Sequence, residues 1–118
     1  MAASRGKSPE IELLWWSECP SWERALDELR AAVRELGLDD SAIRLRQVET
    51  DTDAEQEGFI GSPTIRVNGR DIQPPGPEEP LGLTCRIYRL RDGRVSPLPD
   101  PADVREALVT AIDEGSRA

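Results

Sequence analysis

Histidine is missing from this chain altogether, and that absence excludes more chemistry than any other feature. Without an imidazole there is no Ser-His-Asp or Cys-His catalysis, no His-bearing zinc site and no haem held by His. Proton transfer near neutral pH falls to carboxyls, thiols, amines or water. Cysteine is scarce too: Cys19 and Cys85 are the only two, too few for a secreted disulfide scaffold and compatible with a reducing compartment. Positive charge is in deficit, with 15 Lys and Arg against 23 Asp and Glu and a formal charge of -8. Such a field repels phosphate, so nucleic acid is not expected as a partner. No apolar run nears the roughly 20 residues that cross a bilayer, and the first nine residues lack the hydrophobic stretch of a secretory signal. A cytoplasmic location without a membrane partner is therefore expected. Aromatics make up 4% of the chain, yet Trp15, Trp16 and Trp22, its three tryptophans, crowd into one short segment.

What is present reads as one small α/β domain over residues 10–113, with a disordered segment at 1–9 and a frayed end at 114–118. Ile11 to Trp16 is almost continuously apolar, broken only by Glu12, as in a central strand covered on both faces. From Ser21 the apolar residues Trp22, Ala25, Leu26, Leu29, Ala32, Val33 and Leu36 recur every three or four positions, so an amphipathic helix follows, stopped at Gly37 with Leu38 as its cap contact. Ile43, Leu45 and Val48 mark a second strand, parallel to the first because a helix intervenes. Thr50 to Gly58 is expected to be a loop with one or two helical turns begun by Asp51 or Thr52. Asn68-Gly69 predicts a tight hairpin within Ile65 to Ile72, and Asp92-Gly93 a reversal between a strand at Thr84 to Leu90 and Val95. Four prolines between Gln73 and Pro80 exclude regular structure there. Asp100 as cap and Pro101 in the first turn open a last helix, with Val104, Ala107, Leu108, Ala111 and Ile112 on one face.

The segment Trp15-Trp16-Ser17-Glu18-Cys19-Pro20-Ser21-Trp22 carries the chemistry, because it sets a thiol where a buried strand ends and a helix begins. Unpaired N–H groups and the positive end of the helix dipole favour a thiolate there, and proline suits the first helical turn because it leaves no N–H unsatisfied. Glu18 and Glu23 oppose ionisation while Arg24 favours it, and the sequence leaves the net direction open. The alternative is that Cys19 is a small buried hydrophobe. The tryptophans are either core or the apolar wall of a pocket. Glu49, Asp51, Asp53, Glu55 and Glu57 read as a solvated acidic surface without calcium-loop spacing, and no glycine loop would cradle phosphate. Neither a resident metal nor a cofactor is expected.

Strand, Cys19-Pro20-Ser21-Trp22, helix, strand, Gly61-Ser62-Pro63-Thr64, hairpin and final helix together resemble the thioredoxin-like superfamily over about residues 10–113. With Leu83-Thr84-Cys85-Arg86 added, the pattern is similar to small bacterial proteins described as thioredoxin family or alkylmercury-lyase-like. The resemblance implies a central mixed β-sheet flanked by helices, Cys19 as nucleophile, Pro63 as a cis-proline facing it, and a Ser62 backbone offered to an extended substrate. Pro20, Trp22 and Trp16 would line that surface. The sequence departs from a dithiol thioredoxin where Trp22 stands in place of a second cysteine, so local C-x-x-C exchange is excluded. Cys85 is the one intramolecular substitute: if the hairpin at Asn68-Gly69 returns the chain to the Cys19 end, Cys85 leaves the proline-rich loop beside it. Equally, Cys85 is a core strand residue.

Three functions stay open on these residues. In the first, Cys19 attacks a sulfur or other soft electrophile in a small-molecule or thiol/disulfide substrate, and Cys85 resolves the adduct. In the second, two thiolates hold a soft metal or organometal while Glu18 or Glu23 protonates the leaving carbon. The third is a noncatalytic module that binds a peptide through Cys19, Trp22 and Pro63. Fold alone does not choose among them.

Overall fold

A computed structural model describes residues 8–76 and 78–117. Residues 1–7 of the expected N-terminal segment, Pro77 and Ala118 lie outside the described residues. Strand β1 (Ile11–Trp15) is central in a four-stranded mixed sheet. On one side it pairs in parallel with β2 (Ile43–Gln47), Leu13 opposite Leu45. On the other it pairs antiparallel with β3 (Thr64–Val67), Leu13 opposite Ile65. Strand β4 (Arg70–Asp71) closes the order β2-β1-β3-β4, antiparallel to β3. The hairpin between them forms because Asn68 and Gly69 take the positive φ values, 53° and 79°, that this two-residue turn requires.

Helix α1 (Trp22–Glu35) buries Ala25, Leu26, Leu29 and Val33. Helix α3 (Pro101–Arg117) adds Val104, Leu108 and Ala111, and both close on Ile11, Leu13, Ile65 and Val67 from one face of the sheet. Asp100 opens α3 as anticipated, accepting from the Ala102 N–H at 2.9 Å. The helix runs past residue 113, where the sequence reading ends the domain, and Arg70 pairs with Glu114 at 2.9 Å. Beyond α1, a 3-10 turn at Asp40–Ala42 leads into β2.

The opposite face is covered more thinly. Helix α2 (Asp51–Glu57) starts from Thr50, whose hydroxyl accepts from the Asp53 N–H, rather than from Asp51 or Thr52. Its Ala54 packs with Leu14, Val48 and Phe59. Because α2 is only 7 residues long, it leaves room for charge on this face: Arg46 bridges Glu57 at 2.6 Å and Glu12 at 3.7 Å. That explains the one acidic residue in the central strand.

The strand expected over Thr84 to Leu90 is largely absent. Only β5 (Tyr88–Arg89) forms, paired with β6 (Val95–Ser96) in a separate two-stranded hairpin. A side chain replaces the missing ladder: the Gln73 amide accepts from the Arg89 N–H at 3.0 Å and donates to the Arg89 carbonyl at 3.1 Å. Among the described residues no helix is long and apolar enough to cross a membrane.

Candidate functional site

The ends of the two parallel strands are tied by a carboxylate. Glu49, two residues beyond β2, accepts from the Ser17 hydroxyl at 2.7 Å and the Ser17 N–H at 2.8 Å. These two bonds, hydroxyl first, hold its carboxyl below the usual range. Next the chain turns tightly, with the Cys19 N–H donating to the Trp16 carbonyl at 3.0 Å. Cys19 therefore precedes the helix by more than the sequence suggests. Ser21 is the cap position and α1 begins at Trp22, so Pro20 sits in the preceding turn, exposed, and not in the first helical turn.

Cys19 is only 3% exposed. Its thiol donates to the Ser62 carbonyl at 3.4 Å. The Ser62–Pro63 peptide bond is cis, and Ser62 and Pro63 are both buried. Ser62 is held from a second side by the Trp16 N–H, which donates to its hydroxyl at 3.0 Å.

The resemblance implies a Ser62 backbone open to an extended substrate; the structure corrects this, because the chain's own segment fills both groups. The Ser62 N–H donates to the Thr84 carbonyl at 2.8 Å, and the Arg86 N–H donates to the Ser62 carbonyl at 2.9 Å. Together they make a single parallel bridge between Ser62 and Cys85. The Ser62 oxygen thus accepts from both the Cys19 thiol and the Arg86 amide, and Cys85 lies beside Cys19 although far from it in sequence. The Cys85 thiol is pushed up first by burial, then by the charge of Cys19 and a thiol hydrogen bond with it. Both cysteines are free; Cys19 is buried and Cys85 exposed. Cys85 is thus not a core residue, and it opens onto a cleft of about 340 Å³ lined by Ile60, Pro74, Pro75, Glu79 and Ile87.

Trp22 and Trp16 separate. Trp22 stacks on Trp15, ring centroids 4.1 Å apart, and both rest on the main core. Trp16 packs toward Leu14 and Phe59 on the other face. Trp22 thus takes the core alternative, and neither it nor Pro20, Trp16, Ser62 or Pro63 lines the Cys85 cleft.

Sequence reasoning passed over the residues that hold this arrangement. Arg86, 6% exposed, donates to both Asp71 carboxylate oxygens at 2.7 and 3.0 Å, to the Gln73 carbonyl, and to the Thr64 hydroxyl at 3.3 Å. Its guanidinium lies 4.3 Å from the centroid of the Tyr88 ring. Tyr88 is fully buried and donates its hydroxyl to the Pro63 carbonyl at 2.6 Å; burial above all pushes its phenol well up. Gly61 permits the approach: a Cβ there would lie 3.0 Å from the Cα and Cβ of Arg86. The dipeptide Cys85-Arg86 was visible as part of a motif, but nothing in it announces a buried guanidinium.

Among the described residues no group of three or more Cys, Asp or Glu is placed to hold a metal ion. Compared with protein-family models, curated proteins and solved structures, the chain matches none.

Proposed function

We propose that the chain is a thioredoxin-like thiol protein whose Cys19 and Cys85 form a nonlocal redox pair that exchanges two electrons with a disulfide substrate. The observation that carries this reading is the convergence of both cysteines on one buried peptide group, Ser62, by a thiol hydrogen bond and a backbone bridge. Strand order β2-β1-β3-β4, with the first pair parallel and the rest antiparallel, is the central mixed sheet that the resemblance implies, and Cys19 follows its central strand.

Exposure supports the opposite order of attack to the one expected from the sequence. Cys85 faces solvent while Cys19 is covered, so an incoming disulfide meets Cys85 first. The Cys85 thiolate, its proton lost to water, attacks one substrate sulfur; the substrate S–S bond breaks and the other half leaves as a thiolate that takes up a proton. Cys19, deprotonated in turn, attacks the Cys85 sulfur of the mixed disulfide. A Cys19–Cys85 disulfide forms and the second substrate half leaves as a thiol. Two protein thiols are oxidised and one disulfide is reduced.

Glutathione disulfide is the probe, with products read by mass spectrometry. The wild type is expected to yield an internal disulfide, and Cys19→Ser to accumulate glutathione on Cys85. Trapping of glutathione on Cys19 in Cys85→Ser at the wild-type rate would return Cys19 to the role of attacking thiol. Inert thiols in the folded wild type would leave a noncatalytic binding module.

A further inference from the structure

We propose that Arg86 is a positioning residue that clamps Cys85 against Cys19, an inference that rests on the redox reading of this pair. Cys85 belongs to no strand; one bridge to Ser62 is its backbone tie. On its N-terminal side the chain is held as far as Leu83, by the Gly82 N–H donating to the Phe59 carbonyl at 3.0 Å and by Leu83 packing on the Phe59 cluster, but Thr84 is exposed, and on the C-terminal side Ile87 is 71% exposed. The short stretch from Thr84 to Ile87 would sample several positions unless something fixes it. Arg86 is the buried residue between Thr84 and Ile87, and it is fixed from two directions.

Its amide binds the same Ser62 oxygen that receives the Cys19 thiol, at 2.9 and 3.4 Å respectively. Its guanidinium reaches the end of β4 and the turn after it through Asp71 and Gln73, and the start of β3 through Thr64. Tyr88 completes the frame by binding Pro63, the residue next to Ser62. Every anchor of Arg86 thus belongs to the sheet end that carries Cys19, so the fork transmits the position of that sheet end to Cys85. A planar five-donor group is required for this; an ammonium could keep the charge but not the two parallel bonds to Asp71 together with those to Gln73 and Thr64. The close approach allowed by Gly61 shows the same fit from the backbone side.

The test is the equilibrium between the dithiol and the internal disulfide in buffers of reduced and oxidised glutathione, which reads the effective concentration of Cys85 at Cys19. Arg86→Lys is expected to lower it by about tenfold to a hundredfold while the far-UV circular dichroism stays native, since small misplacements of reacting groups have effects of that size. Arg89→Lys, the same change on an exposed arginine nearby, is expected to leave it unchanged. Because a buried ammonium that cannot satisfy all of Arg86's partners could unfold the chain, the double variant Arg86→Met, Asp71→Leu, which removes both charges, is measured beside it with the same loss expected. Wild-type equilibrium in either folded variant would overturn the clamp and leave the redox pair standing. Failure of the wild type itself to form the disulfide would overturn the redox reading and the clamp with it.

Discussion

Tyr88→Phe isolates one hydrogen bond at the heart of the site. The ring is fully buried, so phenylalanine keeps the packing, and it keeps an aromatic face 4.3 Å from the Arg86 guanidinium. What disappears is the hydroxyl that donates to the Pro63 carbonyl at 2.6 Å. A buried carbonyl robbed of its donor costs about 1–3 kcal/mol, more than the net worth of an average hydrogen bond, because no water replaces the lost partner. For a chain of this length each kcal/mol moves the unfolding midpoint by about 4 °C, so a fall of roughly 4–12 °C is expected. Urea unfolding at constant m-value would give the free energy directly. The phenol also predicts a pH dependence. Burial holds its folded pKa above the ordinary phenol value of about 10, so the wild type holds its advantage below pH 10 and loses it as pH rises beyond. The gap between wild type and Tyr88→Phe should therefore narrow in alkali. A difference under about 0.3 kcal/mol at neutral pH, well below the range for an unpaired buried group, would refute the argument and mean that Pro63 finds another donor.

Two further expectations concern charge. Glu49, Asp39, Asp92 and Asp100 all have carboxyls held low by hydrogen bonds, to Ser17, Ser41, Arg94 and the Arg91 N–H respectively. A depressed folded pKa contributes stability above the unfolded pKa that is lost as pH falls. With no histidine to titrate, urea midpoints should be level between about pH 5 and 8 and drop only below about pH 4.5, where carboxyls protonate; Glu49→Gln should soften that drop, and a marked slope between pH 5 and 8 would contradict it. Burial and the neighbouring Cys19 hold the Cys85 thiol above its ordinary range, so its alkylation rate should still be rising above pH 9.0, and the whole profile should move to lower pH in Cys19→Ala, which removes both the charge and the hydrogen bond of Cys19. An unchanged profile would place Cys19 out of electrostatic reach.

Local chemistry made much of this fold legible. The stripe from Trp22 to Leu36, the Asn68-Gly69 turn and the Asp100-Pro101 start each state their structure within a few residues, because a helix face, a positive φ and a cap are short-range requirements. Cys19 and Pro63 were legible as a pair only through their order along the chain. Arg86 stood in a legible motif, but its burial and its anchoring role were not legible. Its burial depends on Asp71 and Gln73 across 15 and 13 positions, and in sequence it looks like its exposed neighbours Arg89 and Arg91. The loss of the Thr84–Leu90 strand has the same origin, for a glutamine side chain standing in for a strand neighbour leaves no periodic trace. For the tryptophans the sequence leaves core and pocket wall open, because the stacking of Trp22 on Trp15 joins a helix start to a strand end and has no local signature.

The proposed redox pair is drawn from two distant segments, and such a pair would couple oxidation to folding far more than a local one does. A disulfide between Cys19 and Cys85 would close a loop of roughly 66 residues, which in the chain-entropy account removes about 4 kcal/mol of freedom from the unfolded state, against about 2 kcal/mol for cysteines three positions apart. Oxidised protein should therefore melt about 16 °C above the reduced form, on the scale of about 4 °C per kcal/mol. Linkage requires the converse: the disulfide in the folded chain should resist reduction by about a thousandfold more than the same bond in urea, since about 1.4 kcal/mol is a factor of ten. Differential scanning fluorimetry of the glutathione-oxidised and reduced protein measures the first quantity, and redox titration with and without denaturant the second. Equal melting points would mean that closing the bond strains the Thr84–Arg86 segment by as much as the loop stabilises. In that case the strain must appear as an easily reduced disulfide in the native chain, so the two measurements together leave the coupling no escape.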